Sequence, residues 1–190
     1  IGLTILEALE QLNVDTLRFH LLRNGPEKRD TNFSLELYAN CHNEIVNKFG
    51  NLVNRTLKYK GLTTLPSGII NEEIKQKIET CYNEVSREIE NIEFKKAGLL
   101  VMDLIAEGNK FFDEQKPWVQ AKENIEEFNN TIYTCAYLIA NLANLMEPFM
   151  PKTTQRLRQI LKLNSTPTWA PISVEAGIEL NVGEPLFTRM

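Results

Sequence analysis

The chain has 190 residues, 43% of them hydrophobic and 24% charged, with a formal net charge of −4. This composition supplies enough apolar side chains for a folded core and excludes general disorder. Because 25 acidic side chains outnumber 21 basic ones, it also excludes a uniformly basic protein that wraps nucleic acid. Any polyanion must therefore be bound by a local patch.

The cysteines and histidines do not form a metal site or a disulfide framework. Cysteines stand at positions 41, 81 and 135 and histidines at positions 20 and 42, so no CxxC pair or other ligand spacing occurs. We therefore predict that the chain binds no metal and that the protein is reduced and cytoplasmic.

No segment is typical of a membrane span or a targeting signal. The longest apolar stretch covers residues 97–102, far below the roughly 18 residues that a membrane span requires. The N-terminus has no basic region ahead of an apolar stretch, so we expect no membrane partner. Because the chain begins with Ile1 rather than Met, we expect it to be part of a longer protein.

Apolar residues recur at helical spacing along nearly the whole chain, and alternating strand patterns are almost absent before residue 170, which predicts an all-α fold. Leucines at positions 3, 6, 9 and 12 predict a short first helix that stops at Asn13. Asp15 is the predicted N-cap of a second helix. A polar break over residues 24–33 follows.

A long helix is predicted from its N-cap, Ser34, to about Lys60. Its apolar side chains advance by alternating steps of three and four residues, the spacing of a surface that packs against other helices. These side chains are Leu35, Tyr38, His42, Ile45, Phe49, Leu52, Thr56 and Tyr59.

Two helices are predicted after a turn-rich linker over residues 61–68. Asn71 caps the first, which has apolar residues at positions 74, 78, 81, 85, 89 and 92. The second begins at Asn91 or Ile92 and ends near Gln115, because Pro117 cannot continue it.

Two further helices complete the predicted bundle. A helix over residues 125–146 is apolar on most faces, which is typical of a central position. Pro151 suits the first turn of a last helix, in which Leu157, Ile160 and Leu161 face inward. The tail from Asn164 is predicted to be mostly irregular.

The long helix carries a row of polar residues that advance by fours. They are Asn43, Asn47, Asn51 and Arg55. At about 100° per residue this row covers an arc of roughly 120°, includes Asn54, and lies nearly opposite the apolar side chains. We predict that this face points to solvent or to a partner.

Asparagine costs some tenths of a kcal/mol more per site than Glu, Lys, Arg or Gln on an exposed helix face. General composition is one explanation, since 19 of the 190 residues are Asn. Against it, positions 40–54 contain five Asn and the row ends in an arginine. Amides beside a planar guanidinium can read base edges and phosphates, which favours RNA binding.

Pro117-Trp118 falls in the predicted short connection between two helices. A tryptophan at such a junction often covers the core. The alternative is a platform on which an unpaired base stacks, worth roughly 1–3 kcal/mol. Together with the amide row, this alternative favours recognition of a single-stranded RNA loop, since duplex RNA hides its base edges.

At these residues the chain resembles the anticodon-binding region of the methionyl-tRNA synthetases, and the likeness spans nearly the whole chain. The Asn/Arg row and Pro117-Trp118 are its most specific parts. The matching stretches are residues 15–19, Asp30 with Phe33-Ser34, residues 43–47, residues 50–55, Pro117-Trp118 with Ala121-Lys122, residues 147–151 and residues 185–187.

The resemblance implies an antiparallel helical bundle of the class I synthetase type that binds the anticodon loop of methionine tRNA and recognises CAU. It assigns hydrogen bonds with anticodon bases to Asn47, Asn51 and Arg55, and stacking and contact to Pro117 and Trp118. Further candidate RNA contacts are Asn43, Asn54, Lys48 and Lys58.

The resemblance also implies three regions and a division of labour within a longer chain. Residues 1–33 form a segment that links the missing catalytic domain to the anticodon-binding bundle over residues 34–162. Residues 163–190 form a tail that packs on the bundle. Thr188 departs from the proline that often stands in the family's closing stretch.

No segment resembles the catalytic HIGH or KMSKS motifs, and no zinc-ligand set or nucleotide-binding fold is visible. We therefore assign no catalytic residue. The resemblance places ATP-dependent attachment of methionine to tRNA, which uses ATP with Mg and optionally Zn, in the missing N-terminal part. This chain alone should not aminoacylate and should need no cofactor.

Three alternatives stay open. One is the equivalent bundle of another class I synthetase, such as those for valine, isoleucine, leucine or cysteine, against which the Asn/Arg row and Pro117-Trp118 argue. Another is a helical scaffold that binds protein, which would need a surplus apolar stripe. A nucleophilic enzyme built on Cys41 and His42 is the least favoured, because adjacent helical residues point about 100° apart.

The acidic excess is local. Residues 71–127 hold 14 acidic and 8 basic side chains, whereas residues 1–61 hold 7 and 8. Around the asparagine row the charge is therefore nearly balanced. This distribution predicts base reading by amides and one Trp, with few phosphate contacts and a modest dependence on salt.

Overall fold

The computed structural model of the protein describes residues 4–25 and 31–188, which are mostly helical. Several positions used in the sequence predictions lie outside the described residues. They are Leu3, Pro26 in the polar break, Asp30 of the matching stretches, and the last two residues of the predicted tail. The described helices are α1 (Ile5–Gln11), α2 (Val14–Asn24), α3 (Leu35–Ile45), a π turn (Val46–Gly50), α4 (Asn51–Leu57), α5 (Glu72–Glu90), α6 (Phe94–Gln115), α7 (Pro117–Glu123), α8 (Ile125–Leu145) and α9 (Pro151–Ile160).

The N-cap of α2 differs from the prediction. Asn13 caps it, because the Asn13 side-chain oxygen accepts from the Thr16 backbone N–H at 3.0 Å. Asp15 instead lies buried in the first turn of α2 and accepts from the backbone N–H of Thr153 at 2.5 Å. Thr153 lies in the first turn of α9, where a carboxylate is favourable, so Asp15 ties α2 to α9.

The predicted long helix is interrupted. Ser34 caps α3 as predicted, but residues 46–50 form a π turn and the helix ends at Leu57 rather than near Lys60. Within the turn the Asn51 N–H donates to the Val46 carbonyl, five residues back. The assumption of 100° per residue therefore fails across the turn, because a π turn holds more residues than an α turn.

The apolar side of the long helix is largely confirmed. Six of its eight predicted positions are buried, Tyr59 is partly buried, and Leu35 is 52% exposed, so the prediction was wrong for Leu35. At the π turn, Gly50 packs so closely on Phe187 that a Cβ at residue 50 would lie 3.3 Å from its ring. The tail thus covers the side of the π turn that faces away from solvent.

Helices α5 and α6 form an antiparallel hairpin. Asn71 caps α5 as predicted, and Ile74, Ile78 and Val85 are buried. Ile92 is 69% exposed and has φ 61°, so the expectation that it packs inward was wrong. This left-handed residue separates the helices, and α6 begins at Phe94 rather than at residue 91 or 92.

Helix α8 is the centre of the bundle, as predicted. It packs against α4, α5, α6, α7 and α9, and residues 134–146 are all buried. Gly108 of α6 permits the close approach of α6 and α8, since a Cβ there would collide with Leu138. The all-α prediction is confirmed.

The inward residues Leu157, Ile160 and Leu161 are buried, as predicted for the last helix. After it, residues 164–188 contain no helix, and they return to the linker after α4, where the Leu65 N–H donates to the Ile178 carbonyl at 2.9 Å. The boundaries at residues 33 and 162 stay a prediction. Among the described helices none combines the length and apolarity that crossing a bilayer requires.

Candidate nucleic-acid interface

The predicted RNA-reading residues of the long helix lie on three successive elements. Asn47, Asn51 and Lys58 are exposed and the other four are partly buried. By element they are Asn43 in α3, Asn47 and Lys48 in the π turn, Asn51, Asn54 and Arg55 in α4, and Lys58 just after α4. The π turn therefore lies inside the candidate interface, as π turns at functional sites often do.

Asn51 is joined to α6 through Asn109. Its Nδ2 donates to Asn109 Oδ1 at 3.0 Å. Asn109 Nδ2 in turn donates to the backbone carbonyl of Lys48 at 3.0 Å and to that of Ile105, one turn earlier in α6, at 3.1 Å. The side chain of Asn109 thus links the π turn, α4 and α6.

Arg55 is held one helical turn further on. Its Nη2 donates to Asp113 Oδ1 at 2.5 Å. Its guanidinium carbon lies 4.1 Å from the centroid of the Phe112 ring, a cation–π distance. The guanidinium plane is therefore positioned by a carboxylate and an aromatic face before any RNA binds.

These two contacts form a ladder between α4 and α6. Asn51 with Asn109 and Arg55 with Asp113 are both separated by 58 residues, so the two helices run in the same direction here. Asn109, Phe112 and Asp113 were missed from the sequence. Their spacing of three and four residues places them on one helix face. The sequence does not show which helix packs against the asparagine row, so it could not single out this face.

Three of the further candidate contacts on the long helix are less available. Lys48 Nζ donates to Glu44 Oε1 at 2.7 Å, and Lys58 Nζ donates to the Gly183 carbonyl at 2.6 Å. Asn54 Oδ1 is buried and has no hydrogen-bond partner among the described residues. The structure therefore does not present the Asn54 acceptor to solvent.

Glu44 is paired with two cations. Burial alone would raise the pKa of its carboxyl, but hydrogen bonds from Lys48 and Arg23 outweigh burial and hold that pKa below its ordinary value. Arg23 Nη1 lies 2.5 Å from Glu44 Oε2. The charge of Lys48 is thus largely offset next to the π turn.

Trp118 lies at the start of a short helix rather than in an irregular connection. Lys116 has φ 50° and ψ 58°, and Pro117 occupies the first position of α7. Pro117 is buried whereas Trp118 is 45% exposed. Gln120 anchors α7 to α8 by accepting from Thr131 Oγ1 at 2.9 Å. Pro117 follows Asp113 by four residues, so the Arg55 partner and the tryptophan belong to adjacent parts of the chain.

The cysteines and His42 have structural surroundings. Burial raises the pKa of Cys41 to about 11 and that of Cys81 and Cys135 to about 12, which disfavours the thiolate. His42 lies between Thr16 Oγ1, 3.1 Å away, and the Thr188 carbonyl, 2.7 Å away. A nucleophile built on Cys41 and His42 therefore has no support.

Family models match most of the chain. A model for the anticodon-binding domain of methionyl-tRNA ligase matches residues 65–190. A model for class I tRNA synthetases of the methionine type matches residues 1–57.

Curated proteins and solved structures agree with these matches. A methionine–tRNA ligase of Bacillus cereus is 40% identical over 190 residues, covering 97% of this chain and 34% of that protein. Methionine–tRNA ligase 1 of Alkaliphilus oremlandii is 38% identical, covering 97% and 35%. The chain thus spans about a third of these relatives. The free-state crystal structure of Mycobacterium tuberculosis methionyl-tRNA synthetase has a TM-score of 0.89 at 23% identity, over 100% of this chain and 42% of that one, which shows the shared fold.

Proposed function

Because the chain belongs to the methionyl-tRNA synthetase family and carries its anticodon-binding domain, we propose that it recognises the CAU anticodon of methionine tRNA. Base edges are read by hydrogen bonds from Asn47, Asn51 and Arg55, and one unpaired base stacks on Trp118. The anticodon loop is the proposed partner, since its bases can leave the stack as duplex bases cannot.

One observation carries this proposal: Asn51 and Arg55 are fixed in place by α6 on a partly exposed face. A side chain that is already held in its binding orientation loses little conformational entropy when it contacts a base. Arg55 keeps N–H groups beyond the one that Asp113 engages, and these can donate to acceptors on a base or to a phosphate.

The exposure of Trp118 supports stacking as its role. Its ring is 45% exposed and lies outside the buried core, whereas Pro117 beside it is buried and begins α7. An aromatic face held by a packed backbone and open to solvent can stack on a base. The alternative role of a core lid would require a buried ring.

The family match and the polarity of the candidate face argue against the other class I synthetases and the protein-binding scaffold. The family match names the methionine enzyme, and the candidate face is built from amides, a guanidinium and a tryptophan rather than an apolar groove. An amide-rich face of this kind suits nucleotide bases.

We further propose that the longer protein attaches methionine to tRNA, as the names of its relatives indicate, and that it uses ATP, as the family resemblance implies. Among the described residues no group of three or more His, Cys, Asp or Glu could hold a metal ion. By the family resemblance, ATP, Mg and optionally Zn act in the catalytic domain. That domain is proposed to belong to the same polypeptide as this chain. The three cysteines are free, which suits a reducing compartment such as the cytoplasm.

Titration of the 190-residue chain with anticodon stem-loops tests the proposal. We expect CAU to bind more tightly than each single-base variant, by roughly tenfold or more per altered base. Repeating the titration at two salt concentrations should give a shallow slope, because few phosphates are contacted. Equal affinity for every anticodon, or a steep slope, would contradict base reading.

A further inference from the structure

We propose that Asn109 is a positioning residue that fixes the orientation of the Asn51 amide, so that Asn51 selects bases with an exocyclic amino group over bases with a keto group at that place. At C4 of the pyrimidines and C6 of the purines, cytosine and adenine carry an amino group, whereas uracil and guanine carry a keto group. The proposal rests on the proposed function, because it concerns the same RNA-reading face.

The chemistry of its neighbours allows the Asn109 side chain one orientation. Both hydrogens of Nδ2 are used, by the carbonyls of Lys48 at 3.0 Å and Ile105 at 3.1 Å. Carbonyl oxygens only accept hydrogen bonds. Turning the amide over would place Oδ1 against both of them, so the nitrogen must face the two carbonyls.

The orientation of Asn51 follows from that of Asn109. Asn109 Oδ1 can only accept, and Asn51 Nδ2 lies 3.0 Å from it as the donor. The oxygen of Asn51 is therefore turned away from α6. Asn51 is exposed, so a base can approach the side of its amide that Asn109 does not contact.

The hydrogen bonds from the Lys48 carbonyl through Asn109 to Asn51 form a relay, and its first member, the Lys48 carbonyl, lies in a packed part of the chain. The Lys48 carbonyl belongs to the π turn, and the next two residues, Phe49 and Gly50, are buried. Phe187 of the tail packs against both of them, with ring centroids 6.1 Å apart for Phe49 and Phe187. A backbone carbonyl can only accept hydrogen bonds. It therefore fixes the orientation of the Asn109 amide, and Asn109 in turn fixes the orientation of the Asn51 amide.

Two groups of the Asn51 amide are not engaged by Asn109: the oxygen, which accepts, and the second N–H, which donates. Cytosine presents an amino group beside an unprotonated ring nitrogen, and adenine does the same on two edges, so each can pair with both groups. On the Watson–Crick edge, uracil and guanine present a keto oxygen beside a ring N–H, which opposes both groups. On the other edge of guanine the keto oxygen lies beside the acceptor N7, so only the Asn51 oxygen is opposed. Release of the Asn51 amide would let it turn over and accept either kind of base.

The test compares two variants of Asn109 in the 190-residue chain. Binding is measured for stem-loops with CAU, with the cytosine changed to uracil, and with the adenine changed to guanine. In the unchanged protein at least one keto variant should bind roughly tenfold more weakly than CAU. Asn109→Ala should reduce that ratio to within about twofold, mainly by tighter binding of the keto variant, because the Asn51 amide is then free to rotate.

Asn109→Asp is the matched control, because its carboxylate still accepts from Asn51 but cannot donate to the two carbonyls. It should keep the ratio while lowering the melting temperature. If Asn109 only supported the packing, the ratio of CAU affinity to keto-variant affinity would survive in Asn109→Ala. That result would overturn the relay and leave the proposed function intact. Absence of any CAU preference in the unchanged protein would instead refute the proposed function.

A measurement on the unchanged protein keeps the proposal testable if a variant does not fold. Both Nδ2 hydrogens of Asn109 should exchange with solvent at least tenfold more slowly than those of the exposed Asn40, because each donates a hydrogen bond. Exchange of the Asn109 side chain as fast as that of Asn40 would contradict the relay.

Discussion

Helix α6 presents different polar groups to the two helices beside it. Toward α4 it offers Asn109 and Asp113, which hold Asn51 and Arg55. Toward α5 it offers Asp103 and Glu107, which line a groove of about 440 Å³ together with Glu73, Glu84 and Lys77. We call these the α4 side and the α5 side of α6.

The charges of the two sides explain why only one of them suits RNA. On the α5 side, Lys77 lies 2.8 Å from Glu73 and 2.6 Å from Glu107, so its charge is shared between two carboxylates. The remaining acidic groups of the groove repel phosphates. On the α4 side, the proposed base contacts are made by amides, which can pair with base edges without a positive field, and the charge of Arg55 is paired with Asp113. The α4 side therefore lacks the excess of carboxylates that lines the groove on the α5 side.

The largest expected effect comes from Trp118→Ala in the first turn of α7, just after α6 ends. Loss of the stacking face should weaken binding of a CAU stem-loop by roughly 1–3 kcal/mol, while the melting temperature changes little because the ring is 45% exposed. Fluorescence titration and thermal unfolding measure the two quantities. A large fall in melting temperature with unchanged RNA affinity would make Trp118 a core residue.

Arg55→Lys should have the next largest effect. Lysine keeps the charge but loses the planar fork that donates to Asp113 and lies on Phe112. We expect discrimination between CAU and altered anticodons to fall by about tenfold, at the lower end of the range for a bidentate base contact. An equal loss of affinity for every anticodon would restrict Arg55 to a phosphate contact.

Glu44→Gln tests the pairing next to the π turn and should have a smaller effect. The lowered pKa of Glu44 means that its ion pairs stabilise the folded chain at neutral pH. This contribution, below about 1 kcal/mol for a partly exposed pair, should be lost as the pH falls below the ordinary Glu pKa of about 4.3 toward the lowered folded-state value.

Urea unfolding at pH 7 and at pH 3 measures that contribution. The stability difference between Glu44→Gln and the unchanged protein should shrink at the lower pH, where a larger fraction of Glu44 is protonated. A difference that stays constant between the two pH values would mean that the ion pairs contribute nothing and that packing accounts for the change.

Glu107→Gln, on the α5 side, should have the smallest effect. It removes one partner of Lys77, which still has Glu73, so stability should change by less than about 0.5 kcal/mol. The affinity for a CAU stem-loop should change by less than about twofold if RNA binds only on the α4 side. A change as large as that of Arg55→Lys would show that the α5 side takes part in binding.

Much of the fold could be predicted because helix signals are local. Caps at Ser34 and Asn71, the stop before Pro117 and the start at Pro151 all depend on neighbours within one turn. The cap of α2 was misplaced at Asp15, although Asn13 two residues earlier is also a residue type that caps helices. Packing decided between them, since Asp15 is used by the N-terminus of α9.

The candidate site could be predicted only in part. The asparagine row and the tryptophan were visible as residue types, and the family resemblance that rests on them is confirmed. Their individual roles stay a prediction. The π turn was not visible, since no residue type between positions 46 and 50 marks it and its geometry depends on Phe187 and Asn109.

The sequence by itself determined most of the helical segments, which face of the long helix is apolar and which polar residues are candidates for reading RNA, but it missed α7 and the π turn. Periodicity and caps suffice for those features, because they involve residues a few positions apart. Only the tertiary structure decided how Asn51 and Arg55 are oriented, because each is held by a residue 58 positions away. It also decided that Trp118 is exposed whereas Pro117 is buried, because burial depends on how α7 docks against α8.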